Sequence, residues 1–151
     1  MRIAQRSIKP PLTLSAEAAP SGSGEALWVA TVLTLRRYRD IRRVMNVSAD
    51  VEEQLRKESG ALGYALRVDI LRRRFWTITV WTDEGALDRF LASAAHEVAK
   101  PLADELASPR SRAYARWREA ASALVDWDAA ERHLDAAAHG GGVSSSAEGA
   151  V

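Results

Sequence analysis

His96 is the residue in this chain best suited to moving a proton at neutral pH. Imidazole titrates near ~6.5, and the side chain can act as either acid or base. Upstream of it, Phe75-Trp76-Thr77-Ile78-Thr79-Val80-Trp81 places bulky aromatics on an apolar run. Tyr64 and Tyr114 carry phenol hydroxyls, which can donate a hydrogen bond to an enolate or phenolate oxygen. Arg67 and Arg116 carry cations that could hold an anionic substrate. Read together, His96, Tyr64 and Arg67 are the candidate catalytic set: one base, and two groups able to stabilise an oxyanion. Trp81, Phe75, Trp28, Tyr114 and Arg116 are the candidate substrate-binding set. The chemistry would be abstraction of an acidic proton from a flat substrate held against aromatic rings.

Each of these residues also has a purely structural reading. Trp81 can fill the core, since large aromatics dominate cores. Trp28 and Trp76 can pack a sheet face. His96 can bond backbone at a helix junction. Arg67 and Arg116 sit in strand-like sequence, where a charge is costly unless paired or facing water, and Asp69 is an obvious partner.

What is missing narrows the chemistry further. There are no cysteines, so thiolate catalysis, disulfides and cysteine metal sites are out. Three scattered histidines with no repeated carboxylate spacing give no metal signature. No glycine-rich phosphate loop joins a strand to a helix, so no cofactor is expected. No Ser/His/Asp pattern can be argued. A net charge of +1 argues against a nucleic-acid partner. The arginine clusters at 36–43 and 72–74 therefore read as solvated faces. No apolar run approaches the ~18 residues of a membrane span. The basic start, Met1-Arg2-Ile3-Ala4-Gln5-Arg6, lacks the apolar core of a signal peptide, so a cytoplasmic location is expected.

These residues need elements to position them. Pro10, Pro11, Pro20 and Ser21-Gly22-Ser23-Gly24 mark residues 1–25 as a flexible segment, and the glycine- and serine-rich end marks 139–151 as a tail. One domain over 26–138 remains. Leu27–Leu35 is a strand by β-branched content. A short helix follows around Tyr38, Ile41, Val44 and Met45. A second piece, Val51–Glu58, would be capped by Ser48 or Asp50 and ended by Gly60. Gly63–Leu71 and Phe75–Thr82 read as an antiparallel hairpin across the basic turn 72–74. Asp83 should cap a helix with the apolar stripe Ala86, Leu87, Phe90 and Leu91. Glu97–Ala107 is helical, disturbed at Pro101. Ser111–Arg118 alternates as a strand, and Asp126 caps a last helix.

This order is the split βαβ pattern of a ferredoxin-like α+β sheet with helices on one face. The strand around Trp76 is apolar on both sides, so both faces should be covered. We expect a homodimer in which two sheets close on each other as a dimeric α/β barrel, because soluble monomers avoid large bare apolar patches.

The chain resembles the dimeric α/β-barrel superfamily that includes the antibiotic-biosynthesis monooxygenases. The residues that carry the resemblance are Gly60-Ala61-Leu62-Gly63-Tyr64, Phe75-Trp76-Thr77, Val80-Trp81-Thr82-Asp83-Glu84, Ala86-Leu87, Phe90-Leu91 and His96, and it spans about 27–118. It implies a small-molecule enzyme of specialised metabolism similar to cofactor-independent monooxygenases of aromatic or polyketide-type substrates. A polyketide cyclase or isomerase in the same pocket, and a non-catalytic ligand-binding dimer, are the alternatives. In the haem-degrading branch a first-strand asparagine, a tryptophan and a helix histidine act together. Trp81 matches the tryptophan, but residues 27–35 contain no asparagine and His96 sits too early for the histidine, so haem degradation is not expected.

Overall fold

The computed structural model describes residues 6–7, 25–108, 111–121 and 125–139, with the backbone alone given for 6–7 and 94–96. Four strands carry the sheet: β2 (Glu25–Thr34), β3 (Ala61–Asp69), β4 (Arg74–Trp81) and β5 (Ala113–Ala120). A two-residue strand, β1 (Arg6–Ser7), pairs with the outer edge of β3. All pairings are antiparallel in the order β1-β3-β4-β2-β5. Leaving out β1, this is the ferredoxin-like order. The expectations for 8–24 and 140–151 fall outside the described residues.

The helices are α1 (Ile41–Lys57), α2 (Glu84–Leu91), α3 (Ala94–Leu106) and α4 (Trp127–His139). Where the sequence suggested two pieces, α1 is one helix of 17 residues preceded by a 3₁₀ turn at Tyr38–Asp40. Ile41, Val44, Met45, Val47, Val51 and Leu55 form a continuous stripe packed on the core. Burying that stripe, at ~0.8 kcal/mol per buried methylene, outweighs the tendency of Ser48 and Asp50 to start a new helix. Asp83 is extended and accepts the Ala86 N–H at 2.8 Å, capping α2. Asp126 does the same for α4 through the Ala129 N–H at 2.9 Å. α3 runs through Pro101.

The strand period of two sorts the side chains cleanly. On one face, Leu27 and Val29 of β2, Tyr64, Leu66 and Val68 of β3, and Phe75 and Trp81 of β4 pack with buried residues of α1, α2 and α3. On the other, Trp28, Ala30 and Val32, then Ala65, then Trp76, Ile78 and Val80, pack with Ala130 and Leu134 of α4. Three helices thus lie on one face as a ferredoxin-like sheet requires, and the fourth crosses the other against β5 and β2.

Two local features fix these registers. Between Ala61 and Tyr64 a bulge sets Leu62 and Gly63 against the single residue Val80. At Gly60, an added Cβ would lie 2.2 Å from the Cβ of Ala86, so only glycine lets the start of β3 approach α2 this closely.

Candidate functional site

The helix-side face holds a small apolar cavity between α1, α3 and the sheet. Leu33, Val51, Tyr64, Phe75, Thr77 and Leu102 are among its walls, and its volume is about 60 Å³. That is room for a few waters, against ~300–1,000 Å³ for typical ligand pockets. Tyr64 is buried. Burial, and secondarily the nearby carboxylate of Glu52, push its phenol well above the usual value. It therefore stays protonated at all ordinary pH and can only be a hydrogen-bond donor or an acceptor, never a base. Glu52, on α1, turns inward and is buried beside it, with an Arg56 nitrogen 2.8 Å from its carboxylate.

Trp81 is on the same face but outside the cavity wall. It is 0% exposed, donates its indole N–H to the Thr79 hydroxyl at 2.9 Å, and lies against Phe90 with ring centroids 5.3 Å apart. Tyr114 is half-buried at the edge of this face, and the Arg116 guanidinium donates to its hydroxyl at 2.5 Å. Partial burial raises the Tyr114 phenol, and the hydrogen bond and charge of Arg116 pull against that. His96 lies in the first turn of α3, and its side chain is outside the described residues.

The remaining candidates face the other way. Arg67 is three residues from Tyr64 and so emerges on the opposite face. It is 4% exposed, with its guanidinium 4.1 Å from the centre of the Trp76 ring and 4.8 Å from that of Trp127. Its ion-pair partner is Glu131 of α4. Asp69, the partner suggested by the sequence, instead accepts the Arg72 N–H at 3.0 Å and holds the hairpin turn. Trp28 stacks with Trp117 across the β2–β5 pair, centroids 6.2 Å apart, and His133 of α4 stacks on Trp117 at 4.0 Å.

The sheet therefore divides the predicted residues. Tyr64, Phe75, Trp81 and Tyr114 share the helix side, whereas Arg67 and Trp28 share the α4 side. The parity of their positions already carried that division. Sequence reading missed Glu52, Trp117, Trp127, Glu131 and His133. For α4 the available signal was Trp127 and Glu131 at i and i+4, one helix face pairing an aromatic with a carboxylate.

Residues 42–102 match the family model described as antibiotic biosynthesis monooxygenase, so the resemblance holds over those residues. Solved structures share the fold. A crystal structure of an antibiotic biosynthesis monooxygenase is 24% identical with a TM-score of 0.52, covering 64% of this chain and 98% of that one. A conserved protein from Methanosarcina mazei Go1 is 20% identical with a TM-score of 0.55, covering 61% and 90%. A protein from Shewanella oneidensis is 17% identical with a TM-score of 0.55, covering 64% and 93%. No curated protein matches the chain. Among the described residues, no helix is long and apolar enough to cross a membrane.

Proposed function

We propose that this chain, which matches the antibiotic-biosynthesis-monooxygenase model over 42–102, is a small-molecule enzyme of the cofactor-independent monooxygenase type. Its substrate would be an aromatic or polyketide-type phenol bound on the helix side of the sheet. The observation that best supports this reading is Tyr64, a buried phenol held in its protonated form on the wall of an apolar cavity between α1, α3 and the sheet. A donor held there in low dielectric stabilises a phenolate or enolate oxygen without being able to compete as a base. His96, in the first turn of α3, is the proposed base.

The proposed reaction balances without a cofactor. His96 takes the acidic proton, and the electron-rich substrate anion passes electrons to dioxygen. One oxygen atom ends as a carbonyl on the activated ring carbon, and the other leaves as water with that carbon's one hydrogen and the phenol proton that His96 took, so phenol plus dioxygen gives quinone plus water. Phe75 would hold the ring. Because the cavity is about 60 Å³, substrate binding requires α1 and α3 to move apart.

The same small volume favours a second reading, a non-catalytic protein whose pocket is filled by its own side chains. A cyclase using the same base, with no oxygen consumed, is the third. Turnover of a panel of polyphenols, followed with and without dioxygen and with oxygen uptake measured when it is present, separates them. The first reading expects uptake stoichiometric with product, with one labelled atom from ¹⁸O₂ in the carbonyl. It also expects losses of about 10²-fold or more in His96→Ala and about 10-fold or more in Tyr64→Phe. Turnover that continues without oxygen supports the cyclase, and no turnover across the panel supports the binding protein.

A homodimer closed through the two sheets also belongs to this proposal. α4 occupies part of the face such a barrel would use, so closure requires α4 to shift. Light scattering of the full chain tests it, and a monomer at high micromolar concentration would remove the barrel from the reading.

A further inference from the structure

A larger opening lies on the other side of the molecule, where α4 and the start of β5 overhang the end of β2 and the start of β4. Its volume is about 440 Å³, within the ~300–1,000 Å³ range of small-molecule sites. Its floor includes the indole of Trp76, and Val32, Ala113 and Leu134 contribute apolar surface.

The charges around the opening identify its ligand class. Two of them are neutralised: Glu131 pairs with Arg67, and Arg112 pairs with Asp104. Two are not. The Arg74 guanidinium rests 5.1 Å from the centre of the Trp76 ring and has no carboxylate partner among the described residues. Asp135 faces the opening from α4 and has no cationic partner among them. The two line the same cleft without lying within ion-pair distance of each other. An anionic ligand would meet repulsion from Asp135, and a cationic one would meet it from Arg74. A ligand carrying both charges satisfies both walls.

We propose that the cleft between α4 and the sheet binds a small zwitterion with an apolar body, an apolar amino acid being the simplest of that class. Its carboxylate meets Arg74, its ammonium meets Asp135, and its side chain lies against Trp76. The site is on the opposite face from the proposed catalytic cavity and does not depend on any turnover there; it does require α4 to stay in place, so it and a barrel closed by moving α4 exclude each other.

The test uses the full chain and L-phenylalanine as the probe, with phenylacetate and phenethylamine as analogues that each lack one charge. Binding is read from the indole N–H resonances, with that of Trp76 assigned by Trp76→Phe. Phenylalanine is expected to shift the Trp76 resonance, and each analogue to bind at least about tenfold more weakly. Arg74→Gln and Asp135→Asn are each expected to weaken phenylalanine by about tenfold or more. Both side chains are exposed, and unchanged amide spectra of the free variants show that the fold is kept. No shift with phenylalanine at about 10 mM, phenylacetate binding as tightly as phenylalanine, or variants that bind like the parent would each overturn the proposal.

Discussion

The two faces of this sheet come from the same strands and have been finished differently. On the helix side the polar groups inside the core are accounted for: Trp81 donates to Thr79 at 2.9 Å, and Thr31 and Thr77 share a hydrogen bond. On the α4 side, Trp28 Nε1, Trp117 Nε1 and Arg67 Nε are buried without partners among the described residues. The helix side also leaves a cavity of about 60 Å³, whereas the α4 side leaves about 440 Å³. An unpaired buried donor costs ~1–3 kcal/mol. The α4 side thus accepts a cost that the helix side avoids. That is the pattern expected when one face is optimised for packing and the other retains spare binding capacity.

The largest effect should come from the packed side. Trp81→Ala is expected to lose about 3–5 kcal/mol of stability by denaturant unfolding, through a cavity between sheet and α2. A loss below 1 kcal/mol would mean that this face is not the rigid half.

Next comes the ion pair under α4. Glu131→Gln leaves Arg67 buried without its counter-ion and should cost about 3 kcal/mol, the low end for a broken buried pair because Glu131 is itself 40% exposed. Replacing both, as Arg67→Met with Glu131→Leu, should recover most of that loss. Failure to recover would mean that Arg67 acts through its aromatic contacts rather than through charge.

The sharpest comparison uses one substitution on both faces. Trp81→Phe removes a satisfied N–H and strands the Thr79 hydroxyl, so it should cost about 1–3 kcal/mol. Trp28→Phe loses comparable ring volume but removes an unsatisfied N–H, so it should cost about 1–3 kcal/mol less than Trp81→Phe. Equal costs would erase the distinction between the faces.

The smallest effects concern pH. The N-cap bond to Ala86 is the main cause holding the Asp83 carboxyl below its usual value, helped by Thr82. A depressed carboxyl stabilises the fold above its unfolded pKa of ~3.9, and that contribution disappears as pH falls through the folded value. Asp83→Ala should cost about 1 kcal/mol at neutral pH and flatten that acid limb. Tyr64 has the opposite sign. Its raised pKa gives stability that is complete below ~10 and is lost as pH rises beyond it. Tyr64→Phe should remove that alkaline limb in a stability-versus-pH series.

Much of this architecture could be read from local chemistry. Asp83 and Asp126 announced two helix starts because a carboxylate before an apolar stripe caps exposed N–H groups. Alternation along Phe75–Trp81 announced a strand buried on both sides, and it also placed Trp76 and Trp81 on opposite faces. What could not be read was the identity of the second cover. Sequence alone left a second copy as the natural lid for Trp76, Ile78 and Val80, whereas α4 folds back over part of that face. Nor could single-residue chemistry pair Arg67 with Glu131, which lies 64 positions away, in place of nearby Asp69. Ser48 and Asp50 misled for a related reason: their local preference for helix starts is weaker than the packing of the α1 stripe.

The bulge at Leu62 and Gly63 has a consequence for how this gene can change length. Because two residues there oppose one on the neighbouring strand, deleting Leu62 alone would leave Ala61, Gly63 and Tyr64 on their present sides. A single deletion in the strand beyond it, at Ala65 for example, would turn Tyr64 or Arg67 out of its compartment and bring two environments into conflict. Libraries of one-codon deletions across 60–69 should therefore show one tolerated notch, at the bulge, within an otherwise intolerant stretch.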